Sequence, residues 1–251
     1  MSEIVSRAKA KPTAGGGIVE TVKTIVYAVL IAVGVRTVAF EPFNIPSGSM
    51  IPSLLVGDYL FVSKYSYGYS RYSLPFGLPL LSGRIFFTEP ERGDVIVFKL
   101  PSDNATDYIK RLVGMPGDRV QVQQGRLYIN GKIVPRDEVG TVQYQKDGFG
   151  PVPVREFVET LPNGKKHRIF EATDTSIYDN TREFVVPPGH YFMMGDNRDD
   201  SLDSRAAVGY VPAVNLVGRA EFVFFSIEGR FFEIWKWPFT IRYERLFRGI
   251  K

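Results

Sequence analysis

The chain contains no cysteine and only two histidines, and these shortages exclude several kinds of chemistry. Without thiols it can form neither disulfides nor thiolate metal sites, and it cannot use a cysteine nucleophile. His167 and His190 lie far apart in the sequence, and neither belongs to a His-Glu-x-x-His pattern. We therefore expect no histidine-based triad, no zinc site and no cofactor.

A large excess of charge of one sign is also lacking. The formal net charge is +4 over 251 residues, and Lys and Arg are mixed with Asp and Glu rather than gathered into a basic tract. Because nucleic-acid binding usually needs a clustered basic surface, we expect no nucleic-acid partner. With 44% hydrophobic and 23% charged residues, the chain can form one large domain or two closely joined ones.

One long apolar segment is present, at residues 18–40. At a rise of about 1.5 Å per residue, a helix over this segment would cross a hydrocarbon core of about 30 Å, with Lys23 and Arg36 reaching toward the interfaces. Basic residues precede the segment, whereas the next one after Arg36 is Lys64. The positive-inside rule therefore predicts a cytoplasmic tail at residues 1–17 and an exported body after Phe40.

Two other interpretations of residues 18–40 stay open. A charged start, a short apolar centre and small residues at Thr37 and Ala39 also fit a cleavable secretory signal. A retained anchor is favoured, because the apolar run continues into Phe40 and Arg36 lies close to the candidate cleavage site. A buried core helix is the third interpretation.

The rest of the chain is typical of a mainly β fold. Short apolar or alternating runs are separated by Gly, Pro and Asp, and Asn130-Gly131 predicts a hairpin because both residues tolerate positive φ. Residues 121–190, with an irregular polar centre, are predicted to form an inserted smaller β-rich lobe. The predicted core then comprises residues 41–120 and 191–251. Aromatic and basic residues alternate near residues 65–87 and 231–245, which fits either a membrane interface or ordinary packing.

A possible nucleophile lies in the sequence PSGSM at residues 46–50. A serine hydroxyl needs an adjacent base, and without a suitable histidine the next candidate is a lysine whose pKa is depressed by burial. Lys110 is the best placed, since a strand over residues 108–113 would direct it and Arg111 to opposite faces. We expect one of the two to be buried and the other solvated, although such adjacent cations most often form a solvated pair.

Four motifs together resemble those of bacterial type I signal peptidases. In chain order they are PSGSMIPSLLVGD, GDVIVF, YIKRLVGMPGD and GDNRDDSLDSR, which begin at Pro46, Gly93, Tyr108 and Gly195. The resemblance extends from about Phe40 to the C-terminus. It implies an antiparallel β-sheet catalytic core of the signal-peptidase type with an inserted lobe and one N-terminal transmembrane helix.

The resemblance also implies roles for individual residues. Ser49 matches the acyl-forming nucleophile, Lys110 the neutral general base and Ser47 an oxyanion donor. Ser201 matches the hydroxyl that orients the lysine. Four further residues match supporting scaffold, with Asp203 and Arg205 as an ion pair, joined by Asp196 and Arg198.

Substrate recognition follows from the same resemblance. An extended signal peptide would run alongside residues 43–45 and 107–109 as an added strand. Shallow apolar pockets would accept small residues such as alanine before the cut. The residues implied in substrate binding are Phe43, Asn44, Ile45, Met50, Leu54, Asp107, Tyr108 and Ile109.

These features predict a single-pass serine endopeptidase of the bacterial cytoplasmic (inner) membrane, with its catalytic domain on the outer, periplasmic side. Its expected partners are signal peptides of secretory preproteins and membrane lipid, and it would act close to the export translocon. Two alternatives remain. One is a soluble, self-cleaving repressor-like Ser-Lys protease, which would not need residues 18–40. The other is a catalytically silent, membrane-tethered binding protein.

Overall fold

A computed structural model describes residues 16–74, 81–146, 150–229 and 232–250. The first element is helix α1 (Gly16–Val38), whose apolar side chains are exposed along its length. Its span Gly17–Val38 is long and apolar enough to cross a membrane, with a mean hydropathy of 2.0. The predicted segment extended to residue 40, but the helix ends earlier because Phe40 pairs with Ser63 in a sheet. Residues 1–15 of the predicted tail lie outside the described residues.

The mainly β fold is confirmed, and only one other helix, α2 (Trp237–Thr240), is formed within the described residues. In chain order the strands are β1 (Phe40–Asn44), β2 (Asp58–Ser63), β3 (Tyr69–Ser70), β4 (Arg84–Ile85), β5 (Val95–Lys99), β6 (Asp107–Gly114), β7 (Arg119–Gln123), β8 (Arg126–Ile129), β9 (Lys132–Ile133), β10 (Arg136–Lys146), β11 (Gly150–Thr160), β12 (Lys166–Glu171), β13 (Phe184–Val185), β14 (His190–Met194), β15 (Val211–Pro212), β16 (Leu216–Ser226) and β17 (Arg248–Gly249).

The largest sheet is antiparallel and has the order β1-β2-β16-β5-β6-β14-β15, with β17 added beside β16. Strand β6 is central over its second half, where it lies between β5 and β14. Over residues 107–110 it pairs with β5 alone, and β1 pairs with β2 alone, among the described residues. The sheet therefore presents two open backbone edges, at β1 and at the start of β6.

Residues of the predicted lobe form two smaller sheets. One has the order β10-β11-β12, and the other has the order β13-β7-β8-β9. The predicted boundary at residue 121 falls inside β7. The hairpin between β8 and β9 is confirmed, because Asn130 and Gly131 adopt φ values of 54° and 74°. These angles match the paired left-handed conformations of a type I′ turn.

Three clusters of buried apolar side chains support the sheets. The first includes Ile45, Met50 and Leu54 and packs between the PSGSM segment and the large sheet. The second joins the sheet of β7 and β8 to β14, and the third packs around Phe98 and Leu112. Because the first cluster anchors residues 45–54 directly, the PSGSM segment is held by core packing on both sides of Ser49.

Candidate active site

Ser49 lies in a short 3-10 turn, Gly48–Met50, at the start of the buried segment. Its side chain is buried, and its carbonyl accepts a hydrogen bond of 3.1 Å from the backbone N–H of Asn197. The side-chain amide of Asn197 donates a second hydrogen bond, of 3.1 Å, to the carbonyl of Gly48. The fourth motif therefore fixes the backbone of the first, although about 150 residues separate them.

Lys110 extends from β6 to the same point. Its Nζ lies 2.7 Å from Ser49 Oγ and donates to that oxygen and to the carbonyl of Ile109, at 2.9 Å. Only 4% of Lys110 is exposed. Serine hydroxyl and lysine amine are thus within hydrogen-bonding distance, the geometry needed for proton transfer between them.

Burial lowers the pKa of Lys110 to about 8, although the carboxylates of Asp203 and Asp196 act in the opposite direction. A buried ammonium loses hydration that a few distant anions do not replace. The amine of Lys110 is therefore neutral in a substantial fraction of molecules near neutral pH, unlike that of a solvated lysine with a pKa of about 10.4.

The other two serines of the predicted site lie beside this pair. Ser47 Oγ is 3.4 Å from Ser49 Oγ, at an exposed position. Ser201 is buried, and its hydroxyl has no hydrogen-bond partner among the described residues. A Cβ built on Gly195 would overlap the Ser201 hydroxyl and lie 2.6 Å from the carbonyl oxygen of Ser49. Gly195 thus allows Ser201 to approach the turn Gly48–Met50, the serine turn, closely.

The segment that contains Ser201 is braced by an internal ion pair. Arg205 Nε and Nη2 donate to the two carboxylate oxygens of Asp203, at 3.0 and 2.9 Å, and both residues are buried. Asp203 also accepts a hydrogen bond from the Gly195 backbone, while Arg205 donates to the carbonyl of Arg198 at 2.6 Å. This small network closes residues 195–205 into a rigid loop.

The expectation that one of Lys110 and Arg111 is solvated is wrong, since Arg111 is only 1% exposed. The large sheet is covered on both faces here, and Arg111 forms two hydrogen bonds, at 2.8 and 2.7 Å, with Asp196. Arg111 also contacts Ser53 Oγ at 3.2 Å. It therefore ties the strand of the lysine to the loop of Asp196 and to the segment following Ser49.

Arg198 has a partner that the sequence did not indicate. It forms a bidentate ion pair with Glu159 of β11, one bond of which measures 2.9 Å, and both residues are buried. Asp196 and Arg198 thus support the site through Arg111 and Glu159, respectively, rather than through each other. No motif marks Glu159, because its role depends on where β11 packs.

An open cleft of about 600 Å³ surrounds the Ser49 hydroxyl. Its walls include Asp107, Tyr108 and Ile109 of β6. Its lining also contains side chains that were not anticipated from the sequence, namely Tyr144, Lys146, Tyr178, Asp199, Asp200 and Leu202. A tyrosine and a lysine in a polar, irregular stretch have no pattern that marks them as part of a cleft.

The predicted substrate residues divide into two groups. Ile45, Met50 and Leu54 are closed to solvent in the first apolar cluster rather than lining the open cleft. Phe43 and Ile109 are partly buried at the margin of that cluster. The side chains of Ile45, Met50 and Leu54 therefore support the cleft from below its surface, because Met50 and Leu54 are completely buried.

Comparison with known proteins agrees with this arrangement. The family model described as "Signal peptidase, peptidase S26" matches residues 18–225. The chain belongs to the signal peptidase family. It is accordingly a serine peptidase, a hydrolase, and its cleft with a buried lysine beside a serine lies within the matched region.

Individual relatives support membership of the family. Signal peptidase I of Rickettsia typhi is 42% identical over 243 residues, covering 89% of this chain and 90% of the relative. Signal peptidase I of Rickettsia canadensis is 42% identical over 247 residues, covering 91% of this chain and 92% of the relative.

A solved structure was also matched. The crystal structure of a signal peptidase I from Enterococcus faecalis V583 is 25% identical, with 53% of this chain and 97% of that chain covered, and has a TM-score of 0.31.

Proposed function

We propose that the protein removes signal peptides from exported preproteins, with Ser49 as nucleophile and Lys110 as general base. The observation that supports this best is the 2.7 Å contact between Lys110 Nζ and Ser49 Oγ in a buried setting. Neutral Lys110 accepts the hydroxyl proton as Ser49 Oγ attacks the scissile carbonyl. The resulting ammonium protonates the leaving amine, which leaves an acyl-enzyme on Ser49, and Lys110 then activates water for its hydrolysis.

Ser47 is assigned to the oxyanion that develops during this attack. Its hydroxyl lies 3.4 Å from the nucleophilic oxygen, near enough to donate to a carbonyl oxygen held there together with the backbone N–H of Ser49. A single such donor contributes about 3 to 4 kcal/mol in other serine proteases. Ser201 orients the lysine in this proposal, because its buried hydroxyl offers an acceptor for the third N–H of the ammonium.

The two open edges of the large sheet suggest how the signal peptide binds. Strand β1 and residues 107–110 of β6 both lack a second neighbouring strand among the described residues. An extended peptide can add to such edges through main-chain hydrogen bonds, which fix its register without requiring a particular sequence. Phe43 and Ile109 then contact the small side chains before the cut, with Met50 and Leu54 as the underlying support.

Helix α1 supports the location that we propose for the protein, the bacterial inner membrane. The helix is exposed along its apolar length, and the exposed aromatic side chains of Phe86, Trp235 and Phe239 offer further contacts with lipid. Phe231, a further aromatic residue of the same C-terminal segment, lies outside the described residues. The proposed topology has a cytoplasmic N-terminus and a periplasmic cleft, close to the translocon from which preproteins emerge.

The decisive experiment compares the full-length protein in detergent with three variants on a purified preprotein. Wild type and Lys132→Met should release the signal peptide, whereas Ser49→Ala and Lys110→Met should lose at least about a thousandfold in rate. Lys132→Met is a matched control, because Lys132 is exposed on β9. Mass spectrometry of the products identifies the cut, and acid-quenched intact protein shows the acyl-enzyme as added mass.

Three results would overturn the proposal. Cleavage that persists in purified Ser49→Ala or Lys110→Met refutes the assigned pair. A folded wild-type protein that cuts no preprotein supports a silent membrane-tethered protein, and one that cuts only its own chain supports a self-cleaving protease.

A further inference from the structure

The lining of the cleft includes two side chains from the small three-stranded sheet. Tyr144 and Lys146 extend from the end of β10 into the cleft, where they meet Asp200. The phenol of Tyr144 donates a 3.0 Å hydrogen bond to Asp200 Oδ2, and Lys146 Nζ lies 3.5 Å from Asp200 Oδ1. Residues distant in the sequence thus form one polar, half-exposed group beside the serine turn.

Tyr144 comes especially close to the residue before the nucleophile. A Cβ built on Gly48 would lie 2.5 Å from the phenol oxygen, well inside van der Waals contact. Gly48 does not have a positive φ, so its backbone angles do not require glycine. The absence of a side chain at residue 48 is what leaves room for the tyrosine.

The direction of the substrate follows from the proposed function, on which this inference rests. Residues before the cut lie along β1 and the start of β6, on one side of Ser49. The lining of the same cleft also contains Tyr144 and Asp200, and the Tyr144 phenol lies close to Gly48, so an extended chain that continues past Ser49 Oγ passes beside them. The first side chain after the cut therefore faces the Tyr144 ring, which Phe170 supports at a centroid distance of 6.3 Å.

We propose that Tyr144, held by Asp200, is a specificity-determining residue that limits the size of the first residue after the scissile bond. The inserted sheet thereby selects the start of the mature protein, while the large sheet binds the signal peptide.

The test uses full-length protein in detergent and two peptides that differ only in the residue after the cut, alanine or tryptophan. Wild type should prefer the alanine peptide in kcat/KM. Tyr144→Ala should raise the tryptophan-to-alanine ratio by about tenfold or more, because pocket size discriminates on that scale. Tyr144→Phe should leave the ratio within about threefold of wild type, and so should Tyr128→Ala, a tyrosine control on β8.

If Tyr144→Ala cleaves both peptides with the same tryptophan-to-alanine ratio of kcat/KM as wild type, the inference is refuted but the proposed function is not. Loss of cleavage of both peptides by wild type would instead refute the proposed function. A second measurement does not require Tyr144→Ala to fold. A peptide with photoleucine, a small diazirine-bearing residue, directly after the cut, irradiated with the Ser49→Ala protein, should crosslink to β10, and crosslinking only to β1 or to residues 107–110 of β6 would overturn the assignment.

Discussion

The pKa of Lys110 makes the pH dependence of cleavage a quantitative test. If only neutral Lys110 accepts the serine proton, kcat/KM follows the fraction of deprotonated amine. With a pKa of about 8, that fraction is about 1% at pH 6, about 9% at pH 7 and about 90% at pH 9. The rate should therefore rise about tenfold per pH unit below 7 and level off by about pH 9.

Other bases would give different profiles. A solvated lysine with a pKa of about 10.4 would give a rate that still rises tenfold per unit at pH 9. Burial lowers the pKa of His167 below its ordinary value, so an imidazole base would produce a plateau already above about pH 6.5. The assay measures kcat/KM on a fluorogenic signal-sequence peptide in one detergent from pH 5.5 to 9.5, and either of these profiles would refute the reasoning.

The same pKa makes a prediction about stability. Because the folded-state pKa of Lys110 lies below the unfolded value, the unfolded chain binds more protons between about pH 8 and 10.4, and the free energy of unfolding rises with pH in that window. The difference between a pKa of about 10.4 in the unfolded chain and about 8 in the folded protein means that burying the Lys110 ammonium at pH 7 costs at most about 3 kcal/mol of folding free energy. Lys110→Met should therefore be inactive yet at least as stable as wild type in chemical denaturation at pH 7. Marked destabilisation at pH 7 would show that the ammonium is well accommodated and the pKa not depressed.

Three further perturbations test neighbouring parts of the structure. Arg111→Met should lower the free energy of unfolding by about 3 to 5 kcal/mol, because it leaves the Asp196 carboxylate buried without its partner; a loss below 1 kcal/mol in urea titration would contradict this account. Gly48→Ala should reduce kcat/KM through the collision with the Tyr144 phenol, and adding Tyr144→Phe should restore part of it. Phe239→Ser should reduce the quenching of tryptophan fluorescence by brominated lipid in the reconstituted full-length protein without changing cleavage of a short peptide, since Phe239 is 90% exposed and both tryptophans, Trp235 and Trp237, lie within four residues of it; unchanged quenching would remove Phe239 from the lipid contacts.

Four charged residues of the last motif, Asp196, Arg198, Asp203 and Arg205, are buried in ion pairs, whereas Asp199 and Asp200 are partly exposed. Arg111 links β6 to Asp196 and Ser53, while Asn197 holds the Gly48 and Ser49 carbonyls. Lys110, Ser49 and residues 195–205 are consequently fixed to one another by polar bonds shielded from water. Such bonds are strong in a low-dielectric interior and keep the contact between Lys110 and Ser49 short.

Features with local causes could be predicted from the amino-acid sequence. Short alternating runs between turn residues predicted the mainly β fold, and Asn130-Gly131 specified a hairpin because both residues tolerate positive φ. The apolar run at residues 18–40 likewise predicted helix α1, because hydropathy is a local property. The predicted end lies two residues beyond Val38, because the pairing of Phe40 with Ser63 is a tertiary contact.

The contacts between distant residues could not be predicted from the sequence. The approach of Lys110 to Ser49, the burial of Arg111, the pairing of Arg198 with Glu159 and the place of Tyr144 beside Gly48 all depend on which sheets pack together. Side-chain type and spacing do not specify these contacts, because burial and pKa are set by neighbours that arrive from elsewhere in the chain. The sequence thus determined which groups could react, whereas the packing of the sheets decided which of them meet in one cleft.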